Sequence, residues 1–153
     1  MKIDAGTTNA IVGPSGFGKT SMLHLMFRIY DPVEGTVSID DQNVKDLTFE
    51  SFRKHIVVVP QNGILFNDTI EANLRYGNPE ASQEDIERVA KQCSMHESIM
   101  SMPQGYQTQV GDIGSKLSGG ERQRILIARG LMKPEAEIFL FDEATSNLDA
   151  NTE

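Results

Sequence analysis

Gly13-Pro14-Ser15-Gly16-Phe17-Gly18-Lys19-Thr20 is the stretch on which the reading of this chain turns. It fits the pattern G-x-x-x-x-G-K-[ST]. Three glycines let the backbone curl until successive N–H groups point at one anion. A following helix adds the positive end of its dipole. Lys19 can reach the β- and γ-phosphates of a nucleotide, and the Thr20 hydroxyl can sit on Mg²⁺. The competing explanation is a glycine turn before an ordinary helix. At average residue frequencies the four fixed positions coincide on the order of once in 30,000 starts. The flanks agree with the motif: Thr8 to Val12 reads as a short strand, and Thr20 to Ile29 as a helix. Met22, Leu25, Met26 and Ile29 give that helix one apolar face, and Asp31-Pro32 ends it. With Ser21, residues 13–20 form the candidate nucleotide site.

Outward from the loop, Gly35 to Ile39 alternates polar and apolar residues, and Asp40-Asp41 offers a turn. Ile56 to Val59 is a β-branched run suited to a buried strand. Asn78-Pro79 breaks the chain, and Ser82 with Asp85 can cap a helix whose face is Ile86, Val89, Ala90 and Cys93. Gln104 to Ser115 reads as a glycine-rich loop. Glu121 to Met132 reads as a helix with Ile125, Ala128, Leu131 and Met132 on one side. Ile138 to Phe141 is an apolar strand, expected to be central and buried. The order is α/β with a helical insert.

The chain has 153 residues and a net charge of −8, with a pI of about 4.9. That length suits one domain. The acidity disfavours nucleic acid as a partner, because phosphate neutralisation needs a basic face. Cys93 is the single cysteine, so no intrachain disulfide can form. His24, His55 and His96 show no metal-ligand spacing. No apolar run approaches the ~18 residues needed to span a bilayer, and the N-terminal residues lack the order of a signal peptide.

Two further stretches carry chemistry. Ile138-Phe139-Leu140-Phe141-Asp142-Glu143 puts an acidic pair at the carboxyl end of a strand, where ligands bind in such sheets. Asp142 there suits Mg²⁺ and Glu143 the attacking water. Leu117-Ser118-Gly119-Gly120-Glu121 precedes a helix. Ser118 and Glu121 form a capping box, Ser-x-x-Glu. The same turn could be a second anion site at a helix N-terminus, and residue chemistry alone leaves both readings open.

The string LSGGERQRILIARGLM from Leu117 resembles the signature motif of ABC ATPases. The motif order agrees with that family: phosphate loop, Gln61 in VVVPQN, LSGGE, the FLFDE strand, then Ser146-Asn147-Leu148-Asp149. The resemblance covers nearly the whole chain. It implies a P-loop NTPase (RecA-like) α/β core over residues 1–62 and 133–153, with an inserted α-helical subdomain over 63–132. It implies ATP and Mg²⁺ as ligands, with Thr20, Gln61 and Asp142 toward the metal. Glu143, Lys19 and Gln61 become the catalytic set. Ser118, Gly119, Gly120 and Glu121 would contact ATP held by a second nucleotide-binding domain, in a homo- or heterodimer, and Asp149 would cross that interface. Gln61 would also sense the membrane domain.

Leu65 to Ile70 and Tyr106 to Gly114 resemble exporters. Gln109, and Glu121 ending LSGGE, resemble the half-transporters of mitochondria and of heavy-metal tolerance. Those are implicated in moving glutathione- or sulfur-linked and metal-related cargo. Asp112-Ile113, Phe17 and Asn147 depart from that group's usual residues. The expected place is a membrane, through a transmembrane domain, facing the cytosol or mitochondrial matrix. The family pattern also puts an adenine-stacking aromatic upstream of residue 1 and a switch histidine downstream of residue 153. By that pattern the domain is incomplete at both ends, and the isolated piece is expected to be poorly stable. The rival functions are a soluble ABC ATPase on chromosomes or ribosomes, and a regulatory nucleotide-binding module. No heptad array separates the phosphate loop from LSGGE, which opposes the chromosome type, and Glu143 opposes a module without catalysis.

Overall fold

The computed structural model describes residues 1–143. They form two compact units, Met1–Thr48 and a second beginning at Phe49.

In the first unit, helix α1 spans Lys19–Met26. It starts one residue earlier and ends three residues earlier than the periodicity suggests. Arg28 at φ 55 turns the chain out of helical geometry. Its guanidinium donates to the carbonyls of Val44 and Leu47 at 2.7 and 2.8 Å. Ile29 therefore lies off the helix, and no residue of α1 is buried. Thr8–Val12 does not form a strand among the described residues, and Val12 is exposed. A strand needs a ladder partner, and none of the described residues pairs with this stretch. Of the alternating stretch Gly35 to Ile39, only Ser38–Ile39 forms a strand, β1, and it pairs in a hairpin with β2 (Gln42–Asn43). Asp40 and Asp41 make its turn, both at positive φ, the geometry that fits the twist of a two-residue hairpin.

The second unit holds helix α2 (Phe49–Lys54), strand β3 (Ile56–Val59), helices α3 (Ile70–Arg75), α4 (Gln83–Gln92), α5 (His96–Ser101) and α6 (Gly119–Leu131), and strand β4 (Ile138–Phe141). β3 and β4 pair in parallel, Ile56 opposite Ile138 through Val59 opposite Phe141. A parallel pair requires a crossover, and α3 to α6 occupy it. Ser82 and Asp85 cap α4 reciprocally, and Ile86, Val89 and Ala90 enter the core with Ile70, Leu74 and Ile125. Each large apolar side chain so buried contributes roughly 1.5–3 kcal/mol.

Two burial expectations are corrected. β4 is not buried on both faces: only Leu140 is, while Phe139 and Phe141 are 36% and 46% exposed. Among the described residues β4 pairs along one edge only, with β3. On α6, Leu131 is exposed, whereas Gln123 and Leu126 are buried beside Ile125, Ala128 and Met132. This helix packs against β3 as well as α3 and α4, so its buried surface is wider than one stripe. The glycine-rich loop before it forms two 3-10 turns, Gly105–Gln107 and Asp112–Gly114. It also makes a bridge from Gln109 to Thr69.

Candidate functional site

The phosphate loop lies in the first unit. Gly16 and Gly18 sit at φ 82 and 86, where any L side chain would be strained. The Phe17 N–H closes the turn on the Pro14 carbonyl at 3.3 Å. Gly18 precedes α1 without a capping side chain. Lys19 Nζ donates to the carbonyls of Gly13 and Pro14 at 2.9 and 3.3 Å, which folds the ammonium back over the loop. Ser15, Thr20 and Ser21 are exposed, as is Phe17.

The acidic pair and Gln61 lie in the second unit. Because β3 and β4 run parallel and end in register, the residues after Val59 and after Phe141 emerge at one edge. The Asp142 N–H extends the ladder to the Val59 carbonyl at 3.0 Å. Glu143 turns at φ 48, a sparsely populated region for a residue with a side chain. Gln61 Nε2 then donates to Glu143 Oε2 at 2.7 Å. Two residues 82 positions apart in sequence are thus joined by strand register.

The capping box at α6 forms as read. The Glu121 N–H donates to Ser118 Oγ at 3.2 Å. Glu121 Oε2 accepts from the Ser118 N–H at 2.9 Å and from its hydroxyl at 2.7 Å. The Ser98 hydroxyl adds a bond to Glu121 Oε1 at 3.0 Å. These donors, the Ser118 N–H foremost and its hydroxyl next, hold the Glu121 carboxyl below its ordinary range. A cleft of ≈ 190 Å³ has Gln61, Gly119 and Arg122 on its wall, so the Gln61 turn and the first turn of α6 face one space. Asp149, with Ser146 to Leu148, lies outside the described residues.

A protein-family model described as ABC transporter matches residues 1–146. The chain belongs to the ABC transporter family. In the terms of that family it is the ATP-binding domain. ABC transporter ATM1 of Toxoplasma gondii is 58% identical over 153 residues, covering 100% of this chain and 14% of that protein. The human iron-sulfur clusters transporter ABCB7, mitochondrial, is 49% identical over 153 residues, covering 100% of this chain and 20% of that protein. The solved structure of a bacterial Atm1-family ABC exporter with ATP bound aligns at a TM-score of 0.87 and 48% identity. That alignment covers 91% of this chain and 24% of the solved one. The chain thus spans a fifth or less of the two relatives' length, and among the described residues no helix is long and apolar enough to cross a membrane.

Sequence reasoning missed three polar side chains around this ABC domain's second unit. Ser98 holds Glu121, but the phase of the short helix α5 cannot be read from its residues. Asn73 is fully buried, and Arg129 bonds it from α6. A polar residue four positions after the capping Thr69, inside an apolar helix face, was the available signal for Asn73. For Arg129 the sequence offered no signal, since two of its three acceptors are backbone carbonyls.

Proposed function

We propose that this chain is the nucleotide-binding domain of an ABC exporter that hydrolyses ATP to move cargo across a membrane. The observation that carries the reading is the hydrogen bond from Gln61 to Glu143 at the carboxyl ends of two parallel strands. A carboxylate so placed can orient a water and take its proton. The water oxygen bonds to the γ-phosphorus as the bond to the bridging oxygen breaks, leaving ADP and phosphate. Gln61 steers the carboxylate and the water. Lys19 exchanges the carbonyls of Gly13 and Pro14 for β- and γ-phosphate oxygens, and the loop Gly13 to Thr20, with Ser21, presents its N–H groups to the anion.

Mg²⁺ fits the donor types available. Thr20 would supply a hydroxyl, Gln61 an amide oxygen and Asp142 a carboxylate, all hard oxygen donors. Among the described residues no group of three His, Cys, Asp or Glu side chains gathers as an all-protein cage. When bound, Mg²⁺ would offset charge on the phosphates.

Two such domains would sandwich two nucleotides, with Ser118, Gly119, Gly120 and Glu121 of each facing the other's ATP and Asp149 at the interface. The proposed division keeps residues 1–62 and 133–153 as core and 63–132 as the helical subdomain. The identity to mitochondrial relatives supports a half-transporter of the mitochondrial inner membrane with this domain in the matrix. Its cargo would be of the glutathione- or sulfur-linked and metal-related kind, a reading supported by the likeness to a relative named an iron-sulfur clusters transporter. In the complete protein, Glu143→Gln is expected to keep ATP binding, lose turnover and accumulate an ATP-bound dimer by size-exclusion chromatography. Unchanged turnover would remove Glu143 from the role of base.

A further inference from the structure

Gln61 is exposed, so its place beside Glu143 depends on the backbone that carries it. That backbone, the turn from Pro60 to Ile64, is spanned by a single helix. Near its carboxyl end α6 meets β3 so closely that a Cβ on Gly130 would fall 2.7 Å from Val57 Cγ1. One turn earlier it meets the far side of the turn, where a Cβ on Gly63 would fall 2.5 Å from Leu126 Cδ1. Between these two contacts Arg129 Nη1 donates to the Ile64 carbonyl at 3.1 Å.

Arg129 does more than touch Ile64. Its Nε donates to the Asn73 carbonyl at 3.0 Å, and its Nη2 to Asn73 Oδ1. Its guanidinium lies over the rings of Phe66 and Tyr76, 5.0 and 5.6 Å from their centroids. Asn73 in turn brackets the same segment. Its Oδ1 accepts from the Phe66 N–H at 2.9 Å, and its Nδ2 donates to the carbonyls of Phe66 and Thr69 at 3.0 and 2.9 Å. One planar fork therefore ties α6 to α3 and to the chain leaving the Gln61 turn. A lysine could supply the charge but neither the three-way fork nor the stacking plane.

We propose that Arg129 is a positioning residue for ATP hydrolysis: through Ile64 and Asn73 it fixes the turn that presents Gln61 to Glu143. This rests on the reading of Gln61 and Glu143 as the hydrolytic pair. The test is a double-mutant cycle in the complete transporter, measuring kcat and KM for ATP with thermal unfolding alongside. Arg129→Lys is expected to lower kcat on the order of tenfold, as small displacements of catalytic groups do, and to leave KM within about twofold, since the phosphate loop is untouched. In a Gln61→Ala background the same substitution is expected to cost no further turnover. If Arg129→Lys lowers turnover by the same factor in both backgrounds, or in neither, the proposal is overturned. If Gln61→Ala alone leaves turnover unchanged, the reading of Gln61 fails first and the proposal with it. Should Arg129→Lys not accumulate folded, Asn73→Asp serves. It keeps the acceptor for Arg129 and Phe66 but loses the donors to Phe66 and Thr69, and the same non-additivity with Gln61→Ala is expected.

Discussion

Replacing Gly130 with alanine sets two known effects against each other in one methyl group. Inside a helix the change favours folding by at most about 1 kcal/mol, since glycine is the poorer helix former. Gly130 is the penultimate residue of α6, which trims that gain. Against it, the new Cβ would lie 2.7 Å from Val57 Cγ1 and 3.5 Å from Val59 Cγ2. Comfortable carbon contacts need about 3.5–4 Å, so the first is short by roughly an ångström. Val57 cannot swing aside cheaply. It is β-branched and stiff at χ1, 6% exposed, and pinned by its pairing with Phe139. Overpacking of this kind costs about 1–3 kcal/mol, so the clash wins and Gly130→Ala destabilises by about 1 kcal/mol. In a Val57→Ala background the obstructing Cγ1 is gone, and the same change is expected to stabilise by a few tenths to about 1 kcal/mol. Urea unfolding of the nucleotide-binding domain, followed by circular dichroism, reads both. With a slope of about 1–3 kcal/mol/M, the first shift moves the midpoint down by roughly 0.3–1 M. A stabilising Gly130→Ala in the unmodified protein, or an equal loss in both backgrounds, would show that α6 does not approach β3 as described.

Two other outcomes follow from the site and the core. The Glu121 carboxyl is held below its ordinary range by Ser118. Its contribution is fully present above the unfolded pKa of about 4.3 and is lost as pH falls through the lower folded value. The stability gap between the wild-type domain and Glu121→Gln should therefore be constant above about pH 6 and narrow on acidification; a gap that widens in acid would contradict the capping box. Burial pushes the Cys93 thiol up to about 11, so it stays protonated at pH 8 and should react with a thiol reagent slowly until urea unfolds the domain. Equal rates in folded and unfolded protein would refute its burial.

The stretches legible in advance share one property: their structure is settled by near neighbours. One exception is the β-branched run at Ile56–Val59, which became a strand with the expected bounds by pairing with distant Ile138–Phe141. Ser82-Asp85 and Ser118-Glu121 became capping boxes because both partners sit within one turn. The Asp40-Asp41 turn formed for the same reason. Elsewhere the stretch alone misled. Thr8–Val12 has strand-forming residues, but a strand exists only when another chain segment pairs with it. Phe139 and Phe141 are apolar, yet their burial depends on what covers the sheet and not on their own type. Asp112, a departure from the resembled group, accepts from the Asn67 side chain, a pairing that no local rule announces.

For function the boundary falls in a similar place. The phosphate loop, the acidic strand end and the LSGGE turn stood out in the sequence because each is a short constellation of near neighbours at a fixed spacing. Gly16 and Gly18 at positive φ are the backbone expression of that spacing. The meeting of Gln61 with Glu143 was not readable from either residue, since it arises from two strands ending in register across a long crossover. The Arg129 fork was hidden for a further reason: its acceptors, the carbonyls of Ile64 and Asn73, are present at every residue and leave no mark in a sequence. The amino-acid sequence by itself marked the groups proposed to bind and cleave a nucleotide. Only the tertiary structure decided which of them touch, because contact between distant residues is set by strand register and helix packing, which no single stretch contains.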